Sequence, residues 1–428
     1  MTEGRGVALW RNILNVALAV LVITGCYYLA SSAVITGTSR FFNTLSIIGS
    51  TVQPADEAVR LAPNDPEAHY TRALSLINSN RLDEAVSELK EATRLRPAHY
   101  YEWLDLGVTL DRLGDATGAE RALRESVRLA PFFAQPHWQL GNFLYRQGRF
   151  DESFVDLRKA VDSNPRLFAN LIDLAWAATD ENEAVFESLV QPKSARNHLE
   201  LAYFLAKQQH AAEAARQVKA AGAVSDEESS YFLRLTIAQL ITNEQYSDAH
   251  VAWAASHGGS ADPKDGDGFV NGSFLEPVKH DDPGFGWQLP EVANVSLVID
   301  PAGPTSGSRS LRVEFSGENV PESRPIYQIL MVRPETRYSV SFVARSEGLV
   351  SGGPPAIVLA DATDPTRILS SSEPLVAEGM SWTPYNVEFS TSAKTSAISV
   401  SLQRLRCTQS PCPVFGKLWV SGFRLQRQ

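Results

Sequence analysis

The sequence predicts a multidomain protein, α first and then β: a transmembrane helix, an α-solenoid and an antiparallel β-sandwich. Three observations carry that prediction. An uncharged run fills residues 13–35, four prolines recur at one fixed interval, and beyond residue 268 apolar residues alternate with period two. The expected segments are 1–36 for the N-terminus and anchor, 37–256 for the solenoid, 257–268 for a linker and 269–428 for the sandwich.

The uncharged run reaches from Ile13 to Ile35. As a helix it extends roughly 34 Å, enough to cross a hydrocarbon core of about 30 Å. Trp10 before it and Tyr27 and Tyr28 inside it suit a membrane interface. Arg5 and Arg11 precede it and only Arg40 follows closely, which places the N-terminus in the cytoplasm and everything after residue 36 across the membrane. Two rivals stand beside the anchor: a signal peptide cleaved near the small residues 29–33, and a buried core helix. A signal needs an apolar stretch of only about 7–15 residues, so the longer run favours an uncleaved anchor.

Pro63, Pro97, Pro131 and Pro165 follow one another at a constant interval, and other marks keep the same phase. Gly107 pairs with Gly141, Gly114 with Gly148, and Leu89, Leu123 and Leu157 follow in step. Ala85 and Ala119 do likewise, with Ser153 next in the series. A small residue at 73, 107 or 141 lets two helices touch, the large leucine fills the gap beside it, and the proline stands where a helix must stop. Three units result, 66–97, 100–131 and 134–165, with residues 56–63 upstream as a lone second helix.

The period and the residues Trp103, Leu106, Gly107, Leu110, Gly114, Ala119, Leu123 and Pro131 resemble the tetratricopeptide repeat. Weaker units at 198–222 and 230–255, marked by Ala202, Ala214, Ala249 and Trp253, are expected to close the stack. The resemblance implies that an extended peptide from a protein partner lies along the first-helix faces. Carried over by position, that peptide groove comprises Tyr70, Asn78, Tyr101, Asp105, Arg112, Trp138, Asn142, Tyr145 and Arg146. The alternative is that its aromatics pack against neighbouring repeats or the second domain.

Residues 310–315, 337–345, 385–389, 398–403 and 417–425 alternate apolar and polar residues as strands do, with turn-rich stretches between them. Leu311, Val313 and Phe315 share one face, as do Tyr338, Val340, Phe342 and Ala344. With the opening 270–290 and the closing LWVSGFRL, this order is similar to the jelly-roll carbohydrate-binding modules of the galactose-binding-like superfamily. The resemblance implies glycan contact through aromatic platforms and polar strand residues: Trp287, Tyr327, Trp382, Asn386, Glu388 and Gln403. Packing at the sandwich edge is the alternative for Trp287 and Trp382. Relatives often carry an aspartate pair in the last strand that helps hold calcium, where this chain has Val420, Ser421 and Gly422. Asp262, Asp265 and Asp267 match only part of a calcium loop, so neither a metal site nor a cofactor is expected.

Cys407 and Cys412 are close enough in sequence to form a local disulfide in an oxidising compartment; two free thiols are the alternative. A formal charge of −10 without a basic cluster argues against nucleic acid. No phosphate loop, HExxH or GxSxG motif is present, which argues against an enzyme. The expectation is a single-pass envelope scaffold, its solenoid holding a protein and its sandwich touching glycan in exopolysaccharide or cell-envelope assembly. A protein-interaction adaptor without sugar binding is the alternative.

Overall fold

The computed structural model describes residues 3–49, 51–179, 182–256, 268–278, 284–376, 381–404, 407 and 411–428. The acidic residues Asp262, Asp265 and Asp267 lie outside these. The chain forms a helical solenoid preceded by an apolar helix, then an antiparallel domain of two sheets. It divides into two compact units, Met1–Gln191 and Pro192–Gln428. The second unit contains four helices as well as the sandwich.

The first unit holds ten α-helices among the described residues: α1 (Glu3–Gly49), α2 (Val52–Leu61), α3 (Pro66–Asn78), α4 (Leu82–Leu95), α5 (Tyr100–Leu113), α6 (Ala116–Leu129), α7 (Ala134–Arg146), α8 (Phe150–Ser163), α9 (Phe168–Thr179) and α10 (Glu183–Val190). Helix α1 is long and apolar enough to cross a membrane, and its side chains from Leu14 to Ala30 are exposed. It does not stop at residue 36. Ser39, Asn43 and Ser46 are buried, and the helix end packs on α2 and α3. Ser39 stands one repeat period before Ala73, in the small-residue position, and its hydroxyl donates to the Ala58 carbonyl at 3.2 Å. Thus α2 is not a lone second helix: the end of α1 is its partner.

The three central units are the pairs α3–α4, α5–α6 and α7–α8. A Cβ on Gly107 would meet Leu123 Cγ at 2.7 Å, and one on Gly141 would meet Leu157 Cγ at the same distance. The small–large pairing read from the sequence is therefore a close helix approach. The turn within each pair also repeats: Asn80, Gly114 and Gly148, in phase, all have positive φ, a conformation glycine and asparagine adopt most readily.

The second unit opens with α11 (Ala195–Lys207), α12 (Ala211–Ala221), α13 (Glu227–Thr242) and α14 (Tyr246–Ser256). Among the described residues nine strands follow: β1 (Val295–Asp300), β2 (Ser310–Glu318), β3 (Tyr327–Met331), β4 (Arg337–Ser351), β5 (Pro355–Asp361), β6 (Ile368–Ser371), β7 (Thr383–Ser390), β8 (Ala397–Arg404) and β9 (Pro413–Arg427). One sheet runs β1-β2-β9-β4-β7 and the other β3-β8-β5-β6, every pair antiparallel. Without β1 this is the strand order of a jelly roll, two four-stranded sheets face to face. The core lies between them, with Leu311, Val313, Phe342, Leu359, Val400 and Phe423 among its members.

The outer face of the second sheet is also closed. Ala356, Val358, Ala360, Ser399 and Ser401 point away from the core yet are all buried. Helix α14 packs on β3, and the Tyr246 hydroxyl donates to the Ala362 carbonyl at 2.8 Å. Trp253 of α14 meets Phe285 edge-on at 5.9 Å, and a Cβ on Gly284 would collide with its indole at 2.1 Å.

Candidate functional site

The first-helix faces of α3, α5 and α7 carry the nine groove residues, and the structure sorts them into two sets. One set ties repeat to repeat. The Tyr70 hydroxyl donates to Asp105 Oδ2 at 2.7 Å, from α3 to α5. Arg146 Nη2 donates to Asp111 Oδ2 at 2.5 Å, from α7 back to α5. Tyr145 donates to the Leu174 carbonyl at 3.3 Å. Burial raises the Asp105 carboxyl above the usual range, against the Tyr70 bond, which lowers it. Burial likewise pushes the Tyr70 phenol up, with Asp105 adding to it. These side chains build the wall of the face.

The other set is exposed or half-buried. Asn78, Tyr101 and Arg112 are exposed, and Trp138 is half-buried. Asn142 spends one amide hydrogen on the Trp138 carbonyl of its own helix, at 2.8 Å. Asn78, Arg112 and Arg146 occupy the same repeat position, so a polar row runs beside the aromatic one.

Sequence reasoning missed a second recurring device. At the fourth position of each unit a ring N–H faces the carbonyl of the preceding repeat's proline: His69 to Pro63, Trp103 to Pro97 and His137 to Pro131, each at 2.9 Å. A carbonyl only accepts, so each histidine Nε2 donates. The other nitrogen meets a carboxylate from the second helix, Glu88 at 2.6 Å and Asp156 at 2.7 Å. The hydrogen bond to Glu88 raises the His69 pKa, against burial. The spacing of His69 and His137, twice the repeat period, was the available signal.

The six glycan candidates do not converge. Trp287 is corrected outright: it is 4% exposed in the sandwich core, stacked on Phe269 and Phe274, its indole donating to the Asn271 carbonyl. Tyr327 and Gln403 lie on the outer face of the second sheet, where their neighbours are buried. Trp382, Asn386 and Glu388 go with the first sheet instead. There the Arg345 guanidinium sits between Trp382 and Trp419, 5.4 and 4.3 Å from the ring centres. An open cleft of about 530 Å³, lined by Val278, Leu297, Ile299, Arg309 and their neighbours, contains none of the six. Cys407 and Cys412 are disulfide-bonded, their Cα atoms 6.2 Å apart.

With this geometry in place, the comparisons with known proteins locate the repeats. Two tetratricopeptide-repeat family models match residues 66–99 and 104–167. These are tetratricopeptide repeats. Protein FlbA of Caulobacter vibrioides is 33% identical over 105 residues, which is 24% of this chain and 18% of that protein. The chain spans less than half the length of each curated relative it matches. Among solved structures, a MamA fragment from Desulfovibrio magneticus RS-1 is 21% identical, with TM-score 0.33, covering 37% of this chain and 93% of that one. A CBM4 structure is 14% identical, with TM-score 0.28, covering 37% of this chain and 99% of that one. Neither score is high enough to carry a functional argument.

Proposed function

We propose that this protein is a membrane-anchored scaffold whose tetratricopeptide face captures an extended segment of a protein partner. The observation that supports this reading is the division of labour on that face. Tyr70, Asp105, Tyr145 and Arg146 are engaged in holding successive repeats in register. Tyr101, Trp138, Asn78 and Arg112 remain to meet an apolar anchor and a polar backbone. The apolar run of α1 supports the anchor, and the Arg5 and Arg11 bias supports a bulk outside the cytoplasm, where the Cys407–Cys412 bond is stable. The test is capture from envelope extracts by the full-length chain. Trp138→Ala with Arg112→Ala should leave the circular dichroism spectrum unchanged and weaken capture at least tenfold, about 1.4 kcal/mol. Unchanged capture overturns the assignment of the face.

A glycan-binding role in envelope or exopolysaccharide assembly is the second reading. Trp382, beside Arg345, and Asn386 and Glu388, farther along the same sheet, are the candidates that support it. Calorimetry of the full-length chain against envelope polysaccharides tests it. Heat that Trp382→Ala abolishes supports sugar contact there, and no heat leaves the adaptor role alone.

A further inference from the structure

The end of α1 is the first helix of a repeat, and this sets which edge of the solenoid meets the bilayer. Ser32, Pro66, Tyr100 and Ala134 are equivalent first positions, each one repeat period after the last. Helices α3, α5 and α7 therefore enter their repeats from the same side as α1 enters its own. On that side α1 is still inside its uncharged run, and its first buried solenoid contact, Ser39, comes only four residues after the run ends at Ile35. Four helical residues span about 6 Å. The edge carrying the loops before α3, α5 and α7 thus begins at the boundary of the apolar segment.

One of those loops carries what a membrane interface takes. Phe132 and Phe133, between α6 and α7, are 86% and 55% exposed. Counting back three repeats brings them level with Ala30 and Ser31 of α1. Tyr100 stacks on Tyr101 at 4.0 Å and meets Phe133 at 5.3 Å, so the aromatics continue onto the start of α5. The charges beside them are already matched, Arg96 by Glu102 and Arg128 by Glu125. Two exposed phenylalanines flanked by tyrosines and neutralised charge suit the headgroup–acyl boundary, where aromatic rings bury apolar faces about 5–10 Å deep.

We propose that the Phe132–Phe133 loop inserts into the membrane interface as a second contact that holds the repeat edge against the bilayer. The inference rests on the anchor reading of α1. The test uses the full-length protein in phosphatidylcholine–phosphatidylglycerol vesicles, in a Cys26→Ala background, with an environment-sensitive fluorophore on Phe132→Cys. Its emission should shift to the blue and fall several-fold with lipid carrying a nitroxide at the headgroup. The same probe on Leu113→Cys, at the opposite end of α5, should stay in water and unquenched. A wet, unquenched probe at 132, or equal quenching at both positions, overturns the proposal. Shielding at 132 that appears only when a protein partner is added also overturns it. The native Cys26, labelled in the unmodified chain and challenged with a chain-centre nitroxide, separates the two failures. If Cys26 is quenched and position 132 is not, the anchor stands without the edge contact; if Cys26 is not quenched, the anchor itself falls and the edge contact with it.

Discussion

Two glycines measure the difference between the halves of this molecule. Gly141 faces Leu157, and Gly284 faces Trp253, each with no room for a Cβ. The first pair lies within one helical hairpin, and Gly107 with Leu123 repeats it one unit earlier. The second joins a helix to a loop beside a β-sheet and has no counterpart one period away. The solenoid is built from one local contact repeated, whereas the sandwich is built from contacts that follow no period. The teaching is that equal tightness of packing can be plain in one half of a sequence and silent in the other.

The strongest way to break that comparison is to overfill both joints. Gly141→Trp should cost about 3 kcal/mol or more, the upper range of overpacking, because the indole must displace both Leu157 and its backbone. Hydrogen exchange should show protection lost through α7 and α8 and kept in β2 and β9. Gly284→Ala should cost less, about 1–3 kcal/mol, since the Trp253 ring can shift. Its loss of protection belongs in α14, with α5 and α6 unchanged. If Gly284→Ala loosens the repeats instead, the division into two units is wrong.

Tyr246→Phe sharpens the same joint at smaller scale. It removes the hydrogen bond to the Ala362 carbonyl, at a cost of about 1 kcal/mol, and chemical denaturation of the second unit measures it. The smallest expected effect is a pH dependence confined to the first unit. The folded state raises the His69 pKa, so the charged ring stabilises the fold fully below its unfolded value of about 6.5. That stabilisation is lost as pH rises through the raised folded value. The groups facing the ring are Glu88, with Arg72 on the other carboxylate oxygen, and Glu91 at longer range. Stability of α3 and α4, followed by hydrogen exchange from pH 6 to 9, should decline in the wild type and stay flatter in His69→Gln. Parallel curves would leave His69 without a role in that decline.

How much was legible follows from the same contrast. The repeats at Pro63, Pro97 and Pro131 showed their helix boundaries, their small–large pairs and which face would carry Tyr101 and Trp138. The alternating strands showed their inward residues, Leu311, Val313 and Tyr338 among them. Strand β5 was not legible: all of Pro355–Asp361 is buried, so no alternation marks it. Nor was the fate of Trp287, because an aromatic beside turn residues reads alike whether it stacks on sugar or on Phe269 and Phe274.

By itself, then, the sequence determined whatever one turn of helix, one strand pleat or one repeat period can express: an apolar run long enough for a bilayer, the helical hairpins, and the inner face of a sandwich. The tertiary structure alone decided that α1 runs on to complete the first hairpin, and that α14 packs against the second sheet. It alone decided that Tyr70 and Arg146 hold the repeats together. The reason is the range of the forces. Periodic burial leaves a mark at each residue along the chain, but a hydrogen bond such as Tyr246 to Ala362, far apart in sequence, leaves none until folding brings its ends together.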